Sequence, residues 1–271
     1  MQTLKAKSFK GRFLHLSKYN NILTILKYLL LSAFCKIRGV SREVNLIICE
    51  GVTLKIRLGS TDLESAIDCL VDDELSLTFI ASELSSKRNV KIIDCGGYIG
   101  ASALALCKKY PNSEVVVIEA DPANYVILTE NLRNLSNVHL VNAVFTSEEN
   151  SNDYVEFFRG ENGKWSSSAI KSNSSNELIG TIKTITLSKI LSDYGWEGVD
   201  ILKMDIEGGE AQFLRGQRPL ERVAVLAIEL HNSECEAAYQ IATKDRFNMK
   251  GAGEKHFSFR SDIRIEPLHQ G

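Results

Sequence analysis

Apolar residues recur along this chain in two rhythms, and the switches between them outline a fold. Val44 to Cys49 and Val52 to Leu58 alternate apolar with polar on either side of Glu50-Gly51, which predicts a β-hairpin. Val90 to Asp94, Val115 to Glu119 and Val138 to Val141 predict three further strands, and Val199 to Asp205 and Val223 to Glu229 read as strands buried on both faces. Helical spacing fills the intervals, from Ala101 to Lys109, from Asp121-Pro122 to about Leu135, from Glu210 to Leu214, and from His231 to about Thr243. Thr61-Asp62 predicts a helix start, with the helix reaching about Leu84. Ile182 to Ile185 predicts a short strand, and Phe247 to Lys250 with His256 to Arg260 a closing hairpin around Gly251 and Gly253. Strands alternating with helices imply an α/β fold, a mostly parallel sheet covered on both faces with an antiparallel hairpin at one edge. Two parts are expected: a helical extension over residues 1–43 and one α/β domain over 44–271.

The extension stands apart in charge. Nine of the chain's 32 bases and none of its 34 acids lie in residues 1–42, so the remainder carries 23 bases against 34 acids. A basic arm on an acidic domain suggests an anionic partner for the arm, a membrane surface or an acidic glycan; a solvated leader helix is the plainer reading. Asn21 to Cys35 is apolar at helical spacing but interrupted by Lys27, and is short for a bilayer crossing. No small-x-small cleavage site follows it. A helix lying on its own domain, on a second subunit in a homodimer, or in a membrane interface fits this pattern.

Six cysteines, none in C-x-x-C spacing, point away from zinc and redox dithiols and toward a reducing, cytoplasmic setting. Residues 146–181 are rich in Ser, Asn, Gly and Glu, a long excursion of the kind that carries function. Within it, Arg159, Lys164, Trp165 and Ser166 to Ser168 form a candidate acceptor-binding lid, with Trp165 and Ser167 as the substrate contacts.

Chemistry concentrates where strands end. Val90 to Gly100 reads VKIIDCGGYIG: a strand, a carboxylate, then Gly96, Gly97 and Gly100 before a helix. Such a turn lets a ligand approach bare backbone. Asp94 at its start would repel a pyrophosphate but suits S-adenosylmethionine, which has no phosphate and carries a sulfonium and an ammonium. Cys95 also stands where the dinucleotide pattern needs its first glycine. Glu119 ends the next strand, 25 residues after Asp94, where a carboxylate can accept from both hydroxyls of a ribose. With Asp121, Asp205, Glu207, Glu210 and Glu229 the strand ends gather seven carboxylates, joined by Asn142 and His231.

At these residues the chain resembles the FkbM-type methyltransferases, a branch of the S-adenosylmethionine-dependent class I fold. The likeness rests on Ile93-Asp94-Cys95-Gly96-Gly97-Tyr98-Ile99-Gly100, Val117-Ile118-Glu119-Ala120-Asp121-Pro122, Val141-Asn142-Ala143-Val144, and above all Leu202-Lys203-Met204-Asp205-Ile206-Glu207-Gly208-Gly209-Glu210. It spans roughly Val52 to Arg260. The family usually has Asn where Tyr98 stands and Ala where Gly209 stands. The resemblance implies a Rossmann-like class I methyltransferase fold with S-adenosylmethionine as cofactor. It places Asp94, Gly96, Gly97, Tyr98 and Gly100 around the methionine part, Glu119, Ala120 and Asp121 at the ribose, Asn142 and Ala143 near the adenine, and Asp205 beside the methyl group.

The implied reaction is O-methylation of a hydroxyl on a sugar, glycolipid or secondary metabolite, by in-line displacement. Asp205 is the first candidate for general base, followed by His231 and Glu207, with Glu210 as an acceptor contact. A divalent metal on Asp205, Glu207, Glu229 and His231 is a less favoured alternative to a metal-free reaction. The rivals are a cofactor-binding or assembly protein without catalysis and a nicotinamide-dependent oxidoreductase. The acidic domain, and bases gathered at the N-terminus, speak against nucleic acid as partner.

Overall fold

A computed structural model describes residues 9–72, 84, 89–150, 153–159, 165–166, 177–207, 209–216, 218–244, 246–252 and 255–261. The chain begins with two helices, α1 (Phe9–Leu16) and α2 (Ile22–Arg38). The Asn21 side chain caps α2 by accepting the Thr24 N–H at 2.7 Å, and Gly39, left-handed at φ +62°, ends it. Strands β1 (Glu43–Cys49) and β2 (Val52–Arg57) form the expected antiparallel hairpin, with Leu46 opposite Leu54. Helix α3 (Asp62–Leu70) follows. It is shorter than predicted: Asp72, Asp73 and Glu74 come next, and carboxylates at a helix C-terminus oppose its dipole. Leu46, Ile48, Leu54 and Ile56 are buried with Ile25, Tyr28 and Ile67, in one cluster with Ile99, Ala101 and Ile127. Asn131 ties this cap to the rest, accepting from Lys55 N–H and donating to the carbonyls of Lys55 and Ile99.

The main sheet is built from β3 (Val90–Cys95), β4 (Ser113–Glu119) and β5 (Val138–Asn142), alternating with α4 (Ala101–Lys109) and α5 (Pro122–Leu132). A four-stranded excursion follows: β6 (Val144–Phe145), β7 (Tyr154–Arg159), β8 (Trp165–Ser166) and β9 (Glu177–Ile185), in the order β6-β9-β7-β8. Val144, Phe157 and Ile182 form its small core. The sequence shows an alternating run at Tyr154 to Phe158 and predicts a strand at Ile182 to Ile185; the structure pairs the two in a second sheet. Of the candidate lid, Lys164 and residues 167–176 lie outside the described residues, and only the backbone of Arg159, Trp165 and Ser166 is described, as a strand pair.

After α6 (Leu187–Asp193) the main sheet resumes with β10 (Val199–Met204), α7 (Glu210–Arg215), β11 (Val223–Glu229), α8 (Ser233–Thr243), β12 (Phe247–Ala252) and β13 (Lys255–Arg260). Helix α6 escaped the sequence reading, although Thr186 caps it by accepting the Lys189 N–H. The order is β12-β13-β11-β10-β3-β4-β5, parallel except for the edge pair β12 and β13. Neighbouring residues of one strand serve opposite cores: Ile93 and Leu202 one face, Ile92 and Ile201 the other. Two covered faces explain the continuous apolar runs. The strand order reverses between β3 and β10, and such a reversal opens a crevice at the carboxyl ends of the strands.

The glycines of the turn after β3 serve packing first. A Cβ on Gly96, at φ +82°, would lie 1.8 Å from the Asp205 carbonyl oxygen, and one on Gly97 would meet Val117 and Leu128. The Gly96→Ala variant is expected to lose about 3 kcal/mol or more of stability, since the obstacle is backbone. Gly51→Ala faces open space at φ +73° and should lose only about 1 kcal/mol. Urea denaturation of both variants measures the difference.

Candidate functional site

The crevice is held by a buried ion pair. Lys203 on β10 lies in register with Asp94 on β3, and its Nζ stands 3.1 Å from Asp94 Oδ1. The ammonium also donates to the Gly96 carbonyl at 2.8 Å. Burial works against the Lys203 charge, but Asp94 and then Asp205 outweigh it and hold its pKa above the ordinary value. Asp94 accepts from Ser102 Oγ through its other oxygen and is fully buried. The sequence placed Asp94 against a cofactor; in the structure Oδ2 accepts from Ser102, while Oδ1 lies beside the Lys203 ammonium and is buried without a hydrogen-bond partner among the described residues.

Glu119 ends β4. Its carboxylate accepts from the N–H groups of Tyr98 (2.8 Å) and Asp121 (2.9 Å) and from Asn124 Nδ2 (3.3 Å). Burial pushes its pKa up to about 7 against the pull of those donors. Oε2 accepts only from Tyr98 among these bonds, so a lone pair remains for a further donor. Asp121 caps α5 through Oδ1, while its Oδ2 and Asn124 Oδ1 are buried without a hydrogen-bond partner. This acceptor-rich end of the crevice fits a diol or an amine and offers little to a phosphate. Asn142 donates to the carbonyls of Glu119 and Ala120, so it fastens the end of β4. Ala143 is buried in the main core and offers a ligand no surface.

Tyr98 has φ +49°, uncommon for a bulky residue. Its hydroxyl reaches Asp62 Oδ1 at 2.6 Å and Thr61 Oγ1 at 3.0 Å, and Arg57 lies over its ring. Arg57 in turn grips Asp62 through its guanidinium and backbone. The tyrosine therefore binds the glycine turn to the N-terminal cap.

On the opposite side of the crevice, β10 and β11 deliver Asp205, Glu207, Glu229 and His231. Glu207 stands at φ +54°, a strained conformation next to the rim. His231 Nδ1 lies 3.1 Å from Glu210 Oε1, which also accepts the Ile206 N–H. Its Nε2 faces Asp205 Oδ1 and Glu207 Oε2 at 3.6 Å, and Glu229 Oε1 at 3.8 Å. The hydrogen bond to Glu210 raises the His231 pKa to about 9, working against its burial and aided by Asp205 and Glu207. That shift favours the imidazolium at neutral pH, a form that holds a proton rather than taking one. Glu210 is fully buried; burial raises its pKa, and the His231 hydrogen bond, backbone N–H donors and the His231 charge together hold it below the ordinary value. Glu210 accordingly supports His231 and cannot touch an acceptor. Lys255 pairs with Glu229 at 3.1 Å. Asp205, Glu207 and His231 can each place a ligand atom within 4.8 Å of the others, a spacing compatible with a cation. A cation bound through Nε2 would displace its proton.

The structure brings Asp205, Glu207 and His231 side by side and sets Asp94 and Glu119 at the ends of neighbouring strands. Lys203, which in the sequence suggests at most a partner for a carboxylate, organises the turn, and the contact of Tyr98 with Asp62 had no sequence signal.

The family model of the FkbM methyltransferase domain matches residues 94–250. The methyltransferase sdnD of Sordaria araneosa is 27% identical over 164 residues, a match that covers 47% of this chain and 60% of that protein. Precorrin-6y C5,15-methyltransferase of Geobacter metallireducens GS-15 aligns at TM-score 0.43 and 12% identity, over 70% of this chain and 88% of the other. TYW2 of M. jannaschii, solved with AdoMet, aligns at TM-score 0.41 and 14% identity, over 83% of this chain and 87% of the other. Structural likeness at this level says nothing of chemistry.

The imidazolium has a consequence for stability. A histidine whose pKa is raised on folding stabilises fully below the unfolded value, near 6.5, and loses that contribution as pH rises through about 9. The stability advantage of the native chain over His231→Gln should therefore shrink steadily between these values. Thermal melts of both proteins across this range measure it. A constant difference would mean that His231 is neutral.

Proposed function

The chain belongs to the FkbM methyltransferase family, and we propose that it moves a methyl group from S-adenosylmethionine to a hydroxyl of a sugar, glycolipid or secondary metabolite. The observation that carries this reading is the division of the crevice. One end presents Glu119 to hydroxyl or amino donors, with the acceptors of Asp121 and Asn124 buried behind it. The other presents Asp205 beside an imidazolium. Unpaired acceptors suit a cationic, phosphate-free cofactor, which supplies the electrophilic methyl.

The chain's own residues then have separate tasks. Glu119 receives a ribose hydroxyl at Oε2 while its bond from Tyr98 N–H keeps the turn in place. Lys203 fixes the Gly96 carbonyl and so the position of that turn. Asp205, about a third exposed, takes the proton of the acceptor hydroxyl or orients it by accepting its hydrogen bond. His231, held by Glu210, keeps a positive charge beside Asp205. Holding the acceptor oxygen in line contributes the rest of the acceleration. Trp165 and Ser167 remain the proposed acceptor contacts.

Calorimetric titration with S-adenosylmethionine, S-adenosylhomocysteine and NAD tests the cofactor. Micromolar binding of the first two without NAD is expected, and binding of NAD alone overturns the reading. With an acceptor identified by screening sugars and glycolipids, Asp205→Asn should slow methyl transfer by about 100-fold or more while cofactor binding changes far less. Full activity in that variant removes Asp205 from the reaction. Activity should also survive excess EDTA. Loss that magnesium or manganese restores would give the deprotonation to a cation at Asp205, Glu207 and His231.

A further inference from the structure

Helix α2 shows two apolar faces where a surface helix needs one. Ile25, Tyr28 and Cys35 are buried against the hairpin and α3. On the outer side, Leu23, Leu26, Leu30, Phe34 and Ile37 recur at steps of three and four residues, and so form one stripe. Their exposure is large: 79% for Leu23, 73% for Leu30 and 83% for Ile37. Ile22 extends the stripe at one end. Single exposed leucines are ordinary, but a continuous stripe along 17 residues is not.

The charges beside the stripe choose its occupant. Lys27 and Arg38 flank one edge and Lys36 the other, all exposed. Arg38 lies over the Phe34 ring, 5.7 Å from its centroid. Residues 1–42 contain nine bases and no acid. A second copy laid on this face would bring like charges together with no carboxylate from that segment to answer them. An anionic lipid surface answers both features, since its headgroups attract the bases and its acyl boundary receives the stripe. Spanning is a different matter: among the described residues no helix is long and apolar enough to cross a membrane.

We infer that the outer face of α2 docks on a membrane surface rich in anionic lipid, with the helix lying in the plane of the interface. The site is independent of the crevice chemistry, and a failed methyl-transfer assay does not touch it.

The test is cosedimentation of the full chain with vesicles of phosphatidylcholine alone and of phosphatidylcholine with about one third phosphatidylserine. Binding to the anionic vesicles should be about tenfold tighter or more, and should weaken as salt rises. Leu23→Ser/Leu30→Ser/Ile37→Ser should lose about tenfold or more, as should Lys27→Glu/Arg38→Glu. The changed side chains are exposed, so the fold is retained, and an unchanged thermal melt checks this. Equal binding to both vesicle types, or binding unaffected by either variant, overturns the inference. So does a dimer in sedimentation velocity that the triple-serine variant dissociates, which would give the face to a second copy.

Discussion

The ion pair between Lys203 and Asp94 is the constraint from which the site follows. Two charges removed from water are costly, and such a pair survives only where each end has further partners. Here Ser102 supplies one and the Gly96 carbonyl another. The pair sits where the strand order reverses, so it fastens the two halves of the sheet at the point where they diverge. Gly96 then lies against the Asp205 backbone with no room for a side chain, and the positions of the cofactor turn and of the proposed base become one geometric fact.

The same accounting sorts the acidic rim. Asp94 is answered by Lys203, Glu210 by His231, Glu229 by Lys255, and Glu119 by backbone amides. A rim that looks uniformly acidic is a set of local neutralisations. Asp205, Glu207 and Glu229 all face the Nε2 edge of the imidazolium. This makes the chemistry at that edge a matter of one proton shared among nearby groups, not of bulk negative charge.

The parallel sheet was legible in the sequence because its strands, buried on both faces, spell out continuous apolar runs and end in visible glycines and carboxylates. The hairpins were legible because their turns are local. The second sheet was not, since the pairing of β6 with β9 joins residues about 40 positions apart across a polar tract. The residues of the candidate site were found by type and place. Their roles were not, because the sequence cannot show that Glu210 turns inward to His231 or that Asp94 is already paired. Helix α6 had a signal in Thr186 that the pattern of apolar residues did not amplify.

Tyr98 has a longer reach than its place in a turn suggests. Its hydroxyl completes the Arg57–Asp62 pair, and its backbone amide completes Glu119. One residue thus joins two modules, its side chain serving the cap and its backbone the turn. Exchange for the asparagine usual in the family would leave Asp62 short of a donor, and loss of Asp62 would leave the tyrosine hydroxyl with Thr61 alone. The cap and the cofactor turn are therefore one heritable unit, and the N-terminal segment cannot be exchanged between relatives as a detachable accessory.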